Sequence, residues 1–361
     1  MSSSISVITA AAGSGKTSLI VDSALRNSEN GNNSLLVTFT RANRDELKGK
    51  ISKKIGYVPS SIKIMTWFAF LLAHGVRPFR HPAIDFRVSG LFLDEGRPPR
   101  SQARKNNLRY YCTADNKVHS GRLAELTIDC DLASDGEVFD RIGNIFDLVC
   151  IDEVQDMSGY DYEVIRRLAD CCNDLVVVGD PRQRTYCTNF SSKNSSYETF
   201  FDYAKKQMGI EPDSTTLNDS FRCPQEILSI ANKLFPEFPP TNSAAKRSNQ
   251  ENIGIHIVPA SLVREYIRRL SPVQLRWSST KDTDESAETL NMGDSKGLSF
   301  ERVLLYPTAK MEDWFLGNTA ALDSQSAKSK LYVALTRARY SVGVVLDSEK
   351  ARNANFDIWE P

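Results

Sequence analysis

Two stretches of the 361-residue chain carry side chains suited to phosphate chemistry. The first, VITAAAGSGKTSLIV, begins at Val7. Its residues Val7, Ile8, Thr9 and Ala10 suit a buried strand, and Gly13 and Gly15 allow the backbone to turn tightly about an anion. A helix starting directly afterwards offers unpaired N–H groups and the positive end of its dipole. The β- and γ-phosphates of a nucleotide would rest there against Ala12, Gly13, Ser14, Gly15 and Ser18, with Lys16 as a point charge and Thr17 as a Mg²⁺ ligand. The spacing is that of the phosphate loop, with Ala10 standing at its first glycine. The second stretch, FDLVCIDEVQDMS, is an apolar strand ending in Asp152 and Glu153. A strand ending in this way puts both carboxylates at the carboxyl edge of a parallel sheet, where ligands bind. Asp152 has the hard oxygen that Mg²⁺ requires, and Glu153 is the candidate to take a proton from, or orient, a water attacking the γ-phosphate. Asp156 reads as the cap of the helix that follows.

The elements that must position these groups alternate in the βαβ rhythm of a parallel sheet covered on both faces. Strands are expected over 34–39, 62–66, 148–152 and 175–180, with helices over 42–55, 67–72 and 160–171. A second series has helices over 224–235, 261–270 and 327–338, and strands over 253–258, 273–277, 302–306 and 342–346. The pattern predicts an α/β chain of two units, residues 1–213 and 214–361. Residues 75–146, with little periodicity, arginines at 77, 80, 87, 97, 100, 104, 109 and 122, a GRPPR turn and the pair Tyr110–Tyr111, read as an insertion into the first unit. Residues 236–251, rich in proline, serine and asparagine, read as an exposed loop.

Composition narrows the class. A chain of this length can bury two cores, and its 41% hydrophobic and 25% charged content is ordinary for a globular protein. Lysines and arginines balance aspartates and glutamates at 45 each, so any grip on nucleic acid must come from local basic patches. The seven cysteines (112, 130, 150, 171, 172, 187 and 223) lack paired metal-ligand spacing and read as reduced structural thiols. With neither a secretory signal nor a run of about 18 apolar residues, the expectation is a soluble, cytoplasmic protein without membrane contact.

The acidic motif DEVQD resembles that of the UvrD/Rep/PcrA group of superfamily 1 helicases. Further segments resemble other motifs of that family in the same order. These are AAAGSGKT, TFTRANRDEL, IMTWFAFLL, VVVGDPRQRTY, LNDSFRCPQEI, DSKGLSFERV and LYVALTRAR. The resemblance implies two RecA-like P-loop domains with ATP in the cleft between them, driving 3′-to-5′ movement along a single strand of DNA. It implies that Gln183 senses the γ-phosphate, that Arg222 and Arg337 reach it from the second domain, and that Phe221 stacks on the base with Gly297 nearby. Phe39, Thr40, Thr66, Trp67 and Tyr186 stand where the family touches DNA. Phe68, Gly293 and Ser299 depart from the family's histidine, histidine and glutamate. About 60 residues lie between SFRCPQEI and DSKGL, so the large second accessory subdomain of bigger relatives is expected to be missing or reduced to a loop.

The expected function is therefore an ATP- and Mg²⁺-dependent single-stranded DNA translocase and helicase, acting on single strands or on a duplex with a 3′ overhang. The arginines of 75–146 are candidates for holding the strand or the duplex. The alternative is a regulatory ATPase that senses nucleotide or DNA ends and gates a partner nuclease or repair protein.

Overall fold

The computed structural model describes residues 4–80, 83–84, 86–94, 108–186, 188, 191–246 and 252–361. Arg97, Arg100, Arg104, the GRPPR turn and Cys187 lie outside the described residues. The described chain falls into two compact units. The first comprises the described parts of Met1–Thr9, Lys16–Pro181 and Tyr186–Asp213; the second comprises Ala10–Gly15, Arg182–Thr185 and Ser214–Pro361.

The first unit is built from β1 (Ser4–Ala10), α1 (Lys16–Glu29), β2 (Ser34–Thr38), α2 (Arg41–Ile55), β3 (Ile62–Thr66), α3 (Trp67–Phe70), β4 (Gly90–Phe92), β5 (Lys117–His119), α4 (Leu123–Ala133), α5 (Glu137–Ile145), β6 (Leu148–Ile151), α6 (Tyr160–Cys171), β7 (Asp174–Gly179) and α7 (Phe200–Tyr203). A sixth strand of its sheet, β8 (Asp213–Leu217), begins at the unit's last residue. The sheet order is β3-β2-β6-β7-β1-β8. Val7 pairs with Val177 and Val177 with Ile151 in parallel register, so β1, β7 and β6 reach one carboxyl edge together. Val37, Val149, Ile151 and Val177 are sealed in the core against Trp67, Phe70 and Leu168. Each such aliphatic side chain contributes about 1.5–3 kcal/mol through burial. Local signals agree with the elements: Thr40 caps α2 by accepting from Asn43 N at 3.1 Å, and Gly56 ends it in a left-handed turn at φ 87°.

The second unit holds β9 (Asp219–Ser220), α8 (Gln225–Ala231), β10 (Asn242–Ser243), β11 (Gly254–Pro259), α9 (Val263–Leu270), β12 (Val273–Arg276), β13 (Thr289–Asn291), β14 (Phe300–Tyr306), α10 (Ala309–Phe315), α11 (Gln325–Leu335), β15 (Ala338–Leu346) and α12 (Ser348–Arg352). Its main sheet runs β11-β15-β14-β12-β13 and is parallel throughout. Its core gathers Ile257, Leu275, Val303, Leu305, Tyr332 and Val344.

Several boundaries differ from the sequence reading. Strand β2 stops at Thr38, leaving Phe39 beyond its end. The helix expected over 67–72 is one α turn, Trp67–Phe70, that runs on as a π-helix over Leu71–Val76. The stretch 75–146 is far from structureless: α4 is nearly all buried, which hides any amphipathic period, and α5 packs Val138, Phe139 and Ile142 inward. The loop of 236–251 is not wholly exposed, because Thr241 is buried and β10 pairs with β9. The helix expected over 327–338 ends at Leu335, where Thr336 Oγ1 turns back to donate to the Tyr332 carbonyl at 2.8 Å and the chain enters β15. The described cysteines are all free thiols, most of them buried.

Trp67 has no exposed surface, and its indole N–H donates to Asp161 Oδ1 at 2.8 Å. Asp161 also accepts from Ser158 N at 3.1 Å and from the Thr188 hydroxyl. Trp67→Phe removes one donor from a buried carboxylate and is expected to lower stability by about 1–3 kcal/mol. Chemical denaturation checks this, and an unchanged midpoint would refute the structural role of that bond.

Candidate nucleotide site

In the first unit the chemistry gathers where β6 ends. Asp152 and Glu153 are both buried, at 4% and 7% exposure. Glu153 takes a left-handed backbone conformation at φ 59°, unusual for a residue with a side chain, and its N–H donates to Asp152 Oδ1 at 2.9 Å. Lys16, the first residue of α1, donates from Nζ to Glu153 Oε1 at 3.3 Å. Glu153 Oε2 accepts from the Gln155 side-chain amide, and Gln155 Oε1 accepts from Asp180 N at 3.0 Å, just past the end of β7. Burial, and next the neighbouring Glu153 charge, push the Asp152 carboxyl up to about 7, while Lys16 pulls it down. A carboxylate buried beside another is a site that a cation would relieve. Thr17 is half-buried and Ser18 exposed in the first turn of α1. Asp156, expected to cap a helix, instead sits buried in the short 3₁₀ turn Val154–Asp156, while Gly159 precedes α6.

The loop Ala10–Gly15 packs within the second unit. Ala11 N donates to Leu217 O at 2.7 Å, Phe221 N to Gly13 O at 2.9 Å, and the buried Ser220 hydroxyl to Ala12 O at 2.7 Å. Gly13 and Gly15 have φ of 75° and 94°, and a Cβ on Gly13 would lie 2.6 Å from Arg222 Cβ. Glycine is thus required at 13 for both the conformation and the approach. Ala10 and Ala12 are buried at 1% exposure, so a methyl is accommodated at both positions. Ser14 Oγ is buried and has no hydrogen-bond partner among the described residues. An orphaned hydroxyl inside a left-handed glycine turn fits a phosphate oxygen.

Arg337 lies just beyond α11 and is only 1% exposed. It donates from Nε to Val333 O at 3.1 Å, from Nη1 to Leu298 O at 3.2 Å and from Nη2 to Gln183 Oε1 at 3.1 Å. The structure therefore brings together the two residues that the sequence separates by more than 150 positions. Lys296 Nζ holds the Gln183 carbonyl at 3.0 Å, and Arg222 Nη1 donates to Thr336 O at 3.1 Å. Phe221 is 64% exposed, and Gly297, next in sequence to Lys296, has φ 85°.

The residues expected to touch a nucleic-acid strand divide. Phe39 and Thr66 are half-buried, Thr40 is exposed, Tyr186 is 42% exposed, and Phe39 meets Phe68 edge-on at 6.0 Å. Trp67 does not belong with them, because its ring is sealed in the core and cannot stack on a base. Sequence reasoning assigned no task to Gln155, Ser220 or Lys296. The first stands inside the quoted DEVQD motif, and the other two inside DSFRC and DSKGL, so the signal was present without a distinguishing chemistry.

Residues 1–189 match a family model described as an AAA domain. Residues 133–345 match one described as the viral superfamily 1 RNA helicase core domain. The chain is 30% identical over 98 residues to a probable DNA helicase II homolog of Mycoplasma capricolum and 27% identical over 104 residues to one of Mycoplasma pneumoniae. Those alignments take in 27% and 28% of this chain but 13% and 14% of the relatives. Solved structures similar to this fold include Arterivirus nonstructural protein 10 (helicase), over 98% of this chain and 62% of that one with TM-score 0.46 and 14% identity. The PRRSV helicase is similar over 96% of this chain and 52% of that one, with TM-score 0.49 and 14% identity.

The raised Asp152 carboxyl has a consequence in the metal-free protein. Its folded-state value, about 7, lies above the ordinary 3.8, so the native state binds more protons than the unfolded state between those values and loses stability as pH rises through that window. Asp152→Asn is expected to raise the melting midpoint in the presence of a chelator, with a larger gain at pH 8 than at pH 5, worth on the order of a few kcal/mol. A gain independent of pH would contradict this origin.

Proposed function

This chain belongs to the superfamily 1 helicases, and from that premise we propose that it is a nucleic-acid-dependent ATPase moving 3′ to 5′ along single-stranded DNA. The observation that carries the reading is the apposition of Lys16 and Glu153 at the end of β6, with the buried Asp152 beside them. In this reading Lys16 is the phosphate-binding cation, Asp152 the hard-oxygen ligand and Glu153 the general base.

In this reading the loop Ala12–Ser18 receives the triphosphate, with Lys16 leaving Glu153 to pair with phosphate oxygens. That exchange frees Glu153 Oε1 to accept the proton of the attacking water. Thr17 and Asp152 are the ligands that would hold Mg²⁺, which when bound neutralises charge on the phosphates. Gln183 orients groups at the γ-phosphate, and Arg222 and Arg337 supply guanidiniums for the charge that develops in transfer. Phe221, exposed at 64%, offers its ring to the base, with Gly297 beside the nucleotide. Phe39, Thr40, Thr66 and Tyr186 remain the strand-contacting set, with aromatic faces for sequence-tolerant stacking. DNA is assigned over RNA on the names of the curated relatives, although one matching family model is described for RNA helicases.

The test is ATP turnover with and without single-stranded DNA, single-stranded RNA and duplex carrying a 3′ overhang. Steep stimulation by single-stranded DNA is expected; a rate indifferent to every nucleic acid would overturn the motor. Glu153→Gln should bind ATP with near-normal affinity while nearly abolishing hydrolysis, and normal turnover would show the base to be misassigned. Arg337→Ala should slow chemistry by on the order of a thousandfold with nucleotide affinity largely kept. Single-turnover rates beside equilibrium binding make the distinction.

A further inference from the structure

Gln155 is buried at 2% exposure, and both ends of its amide are committed. A backbone N–H can only donate, so the atom facing Asp180 N at 3.0 Å is the amide oxygen. The amide nitrogen is therefore turned toward Glu153 Oε2, to which it donates. The orientation of this side chain is fixed by its partners and needs no choice between alternatives.

The surrounding backbone is shaped to admit it. A Cβ at Gly179 would lie 2.3 Å from Gln155 Oε1, 2.9 Å from Val154 Cγ1 and 3.1 Å from Val154 N. The last residue of β7 thus lacks a side chain where Gln155 passes. Glu153, two residues earlier, holds its left-handed φ of 59° in the same turn. A strained backbone of this kind persists where its surroundings over-determine it.

We propose that Gln155 is a positioning residue for Glu153. It pins carboxylate oxygen Oε2, so that Oε1, which meets Lys16 at 3.3 Å, is the oxygen presented to the attacking water. This inference rests on the reading of Glu153 as general base. A free carboxylate rotates about its last bond and offers either oxygen in any direction, whereas one tethered at Oε2 keeps Oε1 in a single orientation. Misplacing a catalytic group by about 1 Å can cost on the order of a hundredfold in rate without weakening ground-state binding. Gly179 becomes part of the same device, because it provides the space in which the amide stands.

The 361-residue chain tests this in single-turnover ATP hydrolysis and in equilibrium binding of a fluorescent ATP analogue. Gln155→Leu is expected to lower the rate of the chemical step about tenfold to a hundredfold, with analogue affinity kept within about threefold. Gly179→Ala, which retains the glutamine but displaces it, should show the same separation of rate from affinity. In the Glu153→Gln background, Gln155→Leu should cause little further loss, since residues acting as a unit are non-additive. A merely structural residue would instead multiply its defect onto that of Glu153→Gln. Should Gln155→Leu fail to fold, Gln155→Glu keeps the volume and the acceptor for Asp180 N while replacing the donor with a repelling oxygen, and it should show the same rate defect. Wild-type rates in Gln155→Leu or Gln155→Glu, or full multiplicativity, would overturn the inference. Normal turnover in Glu153→Gln alone would overturn the reading of the base on which it rests.

Discussion

Two adjacent carboxylates are buried at the end of one strand, and the architecture of the first unit follows from having to hold them there. Isolated ionised groups do not survive desolvation; they are paired, hydrogen-bonded or protonated. Glu153 is paired with Lys16 and tethered by Gln155, whereas Asp152 accepts a backbone N–H and has its carboxyl raised toward neutrality. The left-handed turn at Glu153 separates the two environments. Its consequence is that neighbouring residues of the same charge differ in environment, one paired with a lysine and one raised toward the neutral form. The parallel pairing of β6, β7 and β1 supplies the common edge at which strand ends, turn and α1 meet.

The second unit solves the complementary problem of burying a permanent positive charge. Arg337 is almost fully enclosed, and its guanidinium donates to the carbonyls of Val333 and Leu298, to the Gln183 amide oxygen and to the Thr336 hydroxyl. Such partners offset the loss of hydration and fix the planar fork.

What could be read from the chain was whatever chemistry writes in residue types at short spacing. The turn at glycines 13 and 15, the place of Lys16 at the start of α1 and that of Asp152 and Glu153 at the end of β6 were legible because these residue types at this spacing stand at strand and helix ends. The central strands were legible because parallel strands buried on both faces are continuous β-branched runs. Trp67 was misread because an aromatic at the end of a strand satisfies both a base-stacking surface and a core; its indole bond to Asp161 depends on a residue 94 positions away. Helix α4 escaped notice for a related reason, since Leu123, Leu126, Thr127, Cys130 and Asp131 are buried on several sides and leave no polar stripe. Burial of a helix all round erases the period on which recognition rests.

The phosphate loop joins these two kinds of legibility. Its sequence announces an anion site, but the sequence does not show that the carbonyls of Ala12 and Gly13 are taken by Ser220 Oγ and Phe221 N. Ser220 and Phe221 immediately precede Arg222, whose own Cβ would collide with a side chain at Gly13. The loop and the segment Ser220–Arg222 are therefore held against each other. The loop enters these bonds through its own carbonyls, and backbone groups carry no signature in residue type.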